Sequence, residues 1–121
     1  MSDEGTSSAG EATPSNDIEF DWDDAKALVN LRKHGVEFLE AMTVLADPLA
    51  LTDFDDEHSV DEDRFVSVGQ SQRGRLLLVV HTFSEVQEAG EPPYSFVRII
   101  SAREPTAHER GRYERSTAPP H

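Results

Sequence analysis

Apolar and polar residues alternate from Ile18 to Trp22, and this period of two predicts a first strand. The period then changes. Ala25, Leu28 and Leu31 recur at helical spacing, with Asp23 placed as an N-cap and acidic Asp24 in the first turn. Lys33 and His34 fall in the last turn, where cations complement the helix dipole. Gly35 suits the left-handed cap position, and Val36 the apolar contact that follows it. A helix to about His34 is therefore expected. Phe38, Ala41, Met42 and Leu45 make a second helical stripe, to about Ala46, and Pro48 prevents its continuation.

Strand patterns dominate from there on. Leu49 to Thr52 reads as a short strand and Arg64 to Gly69 as a longer one. Arg75 to Phe83 is the most apolar strand and is expected at the centre of the sheet. Tyr94 to Ser101 is the last long strand. Acidic loops are expected over residues 53–63 and 84–93, and a turn from Gln70 to Gly74. Thr106 and Glu109 form a capping box that opens a third helix, to about Arg115. The order β-α-α-β-β-β-β-α predicts an α+β fold. In it a small antiparallel sheet packs on two N-terminal helices, a C-terminal helix follows, and the helices lie on one face.

The chain of 121 residues suits one domain, expected over 18–115. Residues 1–17 carry no large apolar side chain after Met1, so a disordered acidic tail is expected there. They lack the basic start and apolar stretch of a signal peptide. Ser116 to His121 are expected to fray. There is no cysteine, which removes disulfides and thiolate metal sites and suits a cytoplasmic location. The longest apolar run, Leu76 to Val80, is strand-sized and too short for a membrane.

Charge changes the picture. The net charge is −13, but residues 1–63 hold three basic and eighteen acidic side chains. Residues 64–121 hold eight basic and six acidic ones, and every basic one is arginine. A protein that held a long nucleic acid by charge alone would be basic overall. Any RNA site must therefore be compact. Arg98 and Arg103 bracket the end of the last strand, where arginine calls for an anionic partner. On alternating parity the two face opposite ways, and they converge only if the strand ends or twists near Ser101. The alternative is that both pair with nearby carboxylates such as Glu104 or Glu109.

A larger set of residues carries a resemblance. It comprises Phe20 to Asp24 with Lys26 and Asn30, Lys33 to Val36, Glu40 with Ala41, and Asp47 with Pro48. It continues through Arg64, Gly69, Val80, Thr82, the run from Arg98 to Arg103, and Glu109, Arg110 and Tyr113. With this order and spacing the chain resembles the BrnT ribonuclease toxins of bacterial type II toxin–antitoxin modules, which look like relatives of RelE-type toxins. The resemblance implies a RelE-like sheet on two N-terminal helices, and metal-independent RNA cleavage that inhibits translation. It also implies a BrnA-like ribbon-helix-helix antitoxin as partner, with DNA contacted only through that antitoxin. Glu37 stands where the family commonly has serine, which weakens the N-cap of the second helix.

Metal-free RNA cleavage uses the substrate's own 2′-hydroxyl, so the protein must move protons and neutralise a crowded phosphate. The candidate catalytic residues are Lys26, His34, Arg64, Arg98, Arg103 and Tyr113, expected around one concave site. Several have a plainer role available. His34 suits a helix end and Lys26 a wet surface, while Tyr113 can simply pack. His81, in the central strand, reads as a hydrogen-bonded core histidine. The acidic loop lacks the glycine and spacing of an EF-hand, so no metal or other cofactor is expected. A non-catalytic acidic interaction protein on the same fold is the competing reading. A DNA-binding regulator finds no helix-turn-helix or basic helix.

Overall fold

A computed structural model describes residues 17–60 and 62–119. The chain runs through β1 (Ile18–Asp21), α1 (Asp24–His34), α2 (Phe38–Val44), β2 (Leu51–Phe54) and a short 3-10 turn (Asp56–His58). It continues as β3 (Arg64–Gln70), β4 (Leu76–Thr82), β5 (Ser84–Val86), β6 (Tyr94–Arg103) and α3 (Ala107–Thr117). The tail expected to be disordered lies outside the described residues except for Asp17, as do Pro120 and His121 at the expected frayed end.

The strands form one sheet in the order β1-β6-β4-β3-β2, with β5 also beside β6. Two expectations need correction. The sheet is mixed, because β1 runs parallel to β6. No hairpin joins these two strands, so no turn forces them antiparallel. The helices also do not share one face. Leu77 and Val79 of β4 pack with Val36, Phe38, Ala41 and Val44 around α2. Leu76 and Leu78, on the other face of the same strand, pack with Val68 and with Tyr113 of α3. A central strand apolar on both sides needs cover on both.

Smaller shifts have local causes. Leu45, Ala46 and Asp47 bond back three residues, so α2 tightens and ends at Val44 rather than continuing to Ala46. The turn then occupies 47–50, and β2 starts at Leu51 rather than Leu49. Part of the expected loop 84–93 pairs with β6 as β5. Helix α3 reaches Thr117, two residues past its expected end.

The capping signals act as read. Asp23 accepts a hydrogen bond from the Lys26 backbone N–H at 2.9 Å, and Gly35 has φ 69°. Glu37 makes no side-chain cap bond. Thr106 and Glu109 make the reciprocal capping box. Gly69 is required for a different reason. A Cβ there would lie 3.0 Å from the Ala50 Cβ and 3.1 Å from a Val44 methyl, so the α2–β2 turn closes on bare backbone.

Candidate nucleic-acid interface

The last strand carries an irregularity that decides where its arginines point. His81 pairs with Ile99, but Val80 pairs with Ser101, so Ile100 is an extra residue in β6. Such a bulge reverses the alternation beyond it. Ile99 and Ala102 consequently both enter the core under α1 and α2, although they are three residues apart. Arg98 and Arg103 are brought to the same face, the one that also bears α3. The parity conflict in the sequence is resolved by the bulge, not by the strand ending.

On that face a polar row crosses the sheet. Arg64 of β3 pairs with Thr82 of β4. The Thr82 hydroxyl accepts the Arg98 backbone N–H at 3.0 Å. Arg98 in turn pairs with Asp21 of β1. Neighbouring strands lie about 4.8 Å apart, so the Cα atoms of Arg64 and Arg98 are roughly 10 Å apart, within common reach of one anion. The Arg64 Nε is buried and has no hydrogen-bond partner among the described residues. Arg98 is half exposed, and its Nη1 lies 3.3 Å from each carboxylate oxygen of Glu62. Its Nε is 3.9 Å from Asp21.

The other candidates stand elsewhere. Arg103 makes a two-pronged pair with Glu109 at 2.9 and 3.1 Å, and Glu109 also caps α3. The Arg103 guanidinium holds the Glu109 carboxyl well below its usual range, at about 2. Tyr113 is buried and donates to Asp47 Oδ2 at 2.7 Å. Burial and this carboxylate push its hydroxyl up to about 12. Lys26 and His34 line a cavity between α1 and the β6 edge, together with Lys33, Ile100 and Ser101. The six candidates thus fall in three places: the Arg64–Arg98 row, the α1 cavity, and the α3 contacts of Arg103 and Tyr113.

Two further residues shape the site. The Asn30 carboxamide donates to the Ala102 carbonyl at 2.8 Å and accepts the Ala102 N–H at 3.0 Å. It closes the free edge of β6 beyond the bulge and also donates to the Val36 carbonyl. In the sequence it stands out only as part of the family pattern. Glu62 gave no signal of its own within an acidic loop, because its pairing with Arg98 spans 36 residues. His81 is a core residue, as read. Its Nε2 contacts the Ser67 hydroxyl at 2.8 Å, its Nδ1 the Thr82 carbonyl at 3.0 Å, and burial depresses its basicity. Among the described residues, no group of three or more metal-binding side chains converges.

A single mixed sheet covered on both faces defines a small α+β protein, in which an arginine whose Nε has no partner among the described residues stands beside a half-exposed arginine. The family follows from the sequence: the model of the ribonuclease toxin BrnT of type II toxin–antitoxin systems matches residues 22–109, and the chain belongs to this family. The crystal structure of the Brucella abortus ribonuclease toxin BrnT matches with a TM-score of 0.47 and 18% identity, over 74% of this chain and 99% of that one. No curated protein matches the chain. Among the described residues no helix is long and apolar enough to cross a membrane.

Proposed function

We propose that this chain is an active endoribonuclease toxin whose scissile phosphate binds across Arg64 and Arg98. The observation that carries this reading is the buried Arg64 Nε, which has no partner among the described residues, beside an Arg98 that the exposed carboxylates of Glu62 and Asp21 approach. An unsatisfied buried donor costs about 1–3 kcal/mol, and the paired positive charge of the two guanidinium groups draws an RNA phosphate to this row. The substrate's 2′-hydroxyl gives up its proton as its oxygen attacks phosphorus, and the 5′-oxygen takes up a proton as its bond to phosphorus breaks. This leaves a 2′,3′-cyclic phosphate and a 5′-hydroxyl. The two guanidinium groups stabilise charge on the non-bridging oxygens.

Lys26 and His34 approach from the β6 edge. Of His34 and His81, only His34 is exposed and able to exchange protons with substrate. Arg103 sets the start of α3 against the sheet, and Tyr113 anchors that helix to Asp47. The reaction requires no metal, and in the cell it inhibits translation from the cytoplasm. The partner is a ribbon-helix-helix antitoxin that covers the arginine face and carries the DNA contacts. The RelE-like ancestry belongs to the same reading.

A second reading has one observation behind it: Glu62 and Glu109 already occupy Arg98 and Arg103. A chain so paired can be a non-catalytic interaction protein on the toxin fold. Incubation of the purified chain with RNA in EDTA decides between them. Cleavage with cyclic-phosphate ends, lost in Arg98→Ala at unchanged melting temperature, supports the toxin. Intact RNA alongside a stable antitoxin complex supports the interaction protein.

A further inference from the structure

Helix α1 carries a cation that helix formation does not explain. Lys33 and His34 sit in its last turn, where they complement the dipole. Lys26 sits in its first turn, where the dipole disfavours a positive charge. Lys26, Lys33 and Arg32 are also the only basic residues in the acidic first half of the chain. Lys26, Lys33 and His34 converge on one cavity of about 290 Å³ against the edge of β6. The side chains of all three, and the Ser101 hydroxyl, lack hydrogen-bonding or ionic partners among the described residues.

Part of the lining is apolar. Val29 is 55% exposed, and the bulge pushes Ile100 into the lining. Aliphatic and cationic side chains lining one cavity fit a planar heterocycle bearing a phosphate. The volume lies near the lower end of the roughly 300–1,000 Å³ typical of small-ligand sites, enough for one nucleotide. The cavity also stands at a suitable distance from the arginine row. Across the bulge Ser101 is level with Val80 and Arg98 with Thr82, so the two stand about 7 Å apart along the sheet, within reach of neighbouring groups of one RNA strand.

The geometry points to a nucleotide subsite in this cavity. A base next to the scissile phosphate rests on Val29 and Ile100. Its phosphate meets Lys26 and Lys33, and the Ser101 hydroxyl faces the polar edge of the base. The assignment rests on the ribonuclease reading for its place beside the cleaved bond. It adds the residues that choose which base is accepted. Single-stranded RNA is commonly read with a splayed base stacked on an aromatic ring or arginine plane and the backbone tracked by cations; here the platform is aliphatic.

The test is a titration of the full chain, with methyl-labelled Val29 and Ile100, by each 5′-nucleoside monophosphate and by inorganic phosphate. Methyl shifts that saturate with a nucleotide and differ among the four bases support the subsite. Affinity should fall about tenfold in Val29→Asp, which places a like charge beside the bound phosphate at an exposed position, and the variant should keep its fold. In cleavage assays Val29→Asp and Ser101→Ala should raise KM and blur base preference with kcat largely kept, whereas Arg98→Ala loses kcat. Equal shifts from inorganic phosphate, or nucleotide shifts only around Arg98, overturn the subsite even if RNA is cleaved. Base-dependent shifts in a chain that cleaves no RNA overturn the ribonuclease reading and leave a nucleotide-binding cavity.

Discussion

Glu62 sits on Arg98, with both carboxylate oxygens 3.3 Å from Nη1, so the acidic loop covers the arginine proposed to hold the phosphate. Both side chains are roughly half exposed, and a pair of this kind is worth about 0.2–1 kcal/mol. RNA must displace it. Glu62→Gln is therefore expected to tighten RNA binding by roughly 1.5- to 5-fold. Filter binding at fixed salt measures it, and equal or weaker affinity in the variant would show that the carboxylate does not compete.

Arg98 and Arg103 should separate in behaviour, although they share a face. Arg98→Ala is expected to reduce kcat about 100- to 1000-fold at unchanged melting temperature, with Arg98→Lys recovering part of the loss. Arg103→Ala leaves Glu109 without its two-pronged partner and should lower the melting temperature. Matched thermal melts and single-turnover cleavage check both. An Arg103→Ala variant as stable as the parent would assign Arg103 to substrate rather than to α3.

The Tyr113 hydroxyl bond to Asp47 ties α3 to the turn after α2. Tyr113→Phe should cost about 1.5–3 kcal/mol, the usual range for a hydrogen bond to a charged group. The hydroxyl is raised to about 12 in the fold, so its stabilisation is complete below the ordinary value near 10 and lost as pH climbs toward 12. Urea titrations at pH 8 and pH 11 should show the variant's deficit shrinking at the higher pH.

Acid should weaken the fold in two steps. His81 is buried with its basicity lowered, so its contribution holds above the ordinary value of 6.5 and declines below it. Glu109, held at about 2, contributes above its ordinary 4.5 and loses that contribution as pH falls to about 2. Melting temperatures from pH 7 to pH 2 test this. Glu109→Gln should remove part of the loss below pH 4.5 and leave the loss below pH 6.5 in place.

Asn30→Ala strips partners from the N–H and C=O of Ala102. Each buried backbone group left unpaired costs about 1–3 kcal/mol. Chemical denaturation should show the loss, and amide exchange at Ala102 should accelerate. Protection at Ala102 unchanged from the parent would mean that another group closes this edge.

The residues that shape α1 and α3 act within a few positions of one another. Asp23, Gly35, and Thr106 with Glu109 could be read directly, because a cap needs only its own helix end. The apolar run of β4 likewise marked the centre of the sheet. Its burial on both faces implies cover on both, yet chain order alone does not say which helix goes where. The direction of β1 depends on a partner at the far end of the chain, and local alternation carries no trace of it.

The site divides the same way. The sequence by itself determined that arginine, lysine and histidine were available, and that a compact anion site was the form open to so acidic a chain. The single extra residue at Ile100 turned Arg103 to the face of Arg98, since side-chain direction in a strand depends on a count that one bulge resets. Tertiary structure also gave Tyr113 to Asp47, Arg103 to Glu109 and Glu62 to Arg98, and left the Arg64 Nε without a partner among the described residues. Such pairings depend on which charges folding brings within a few ångströms, and sequence separation does not constrain that choice.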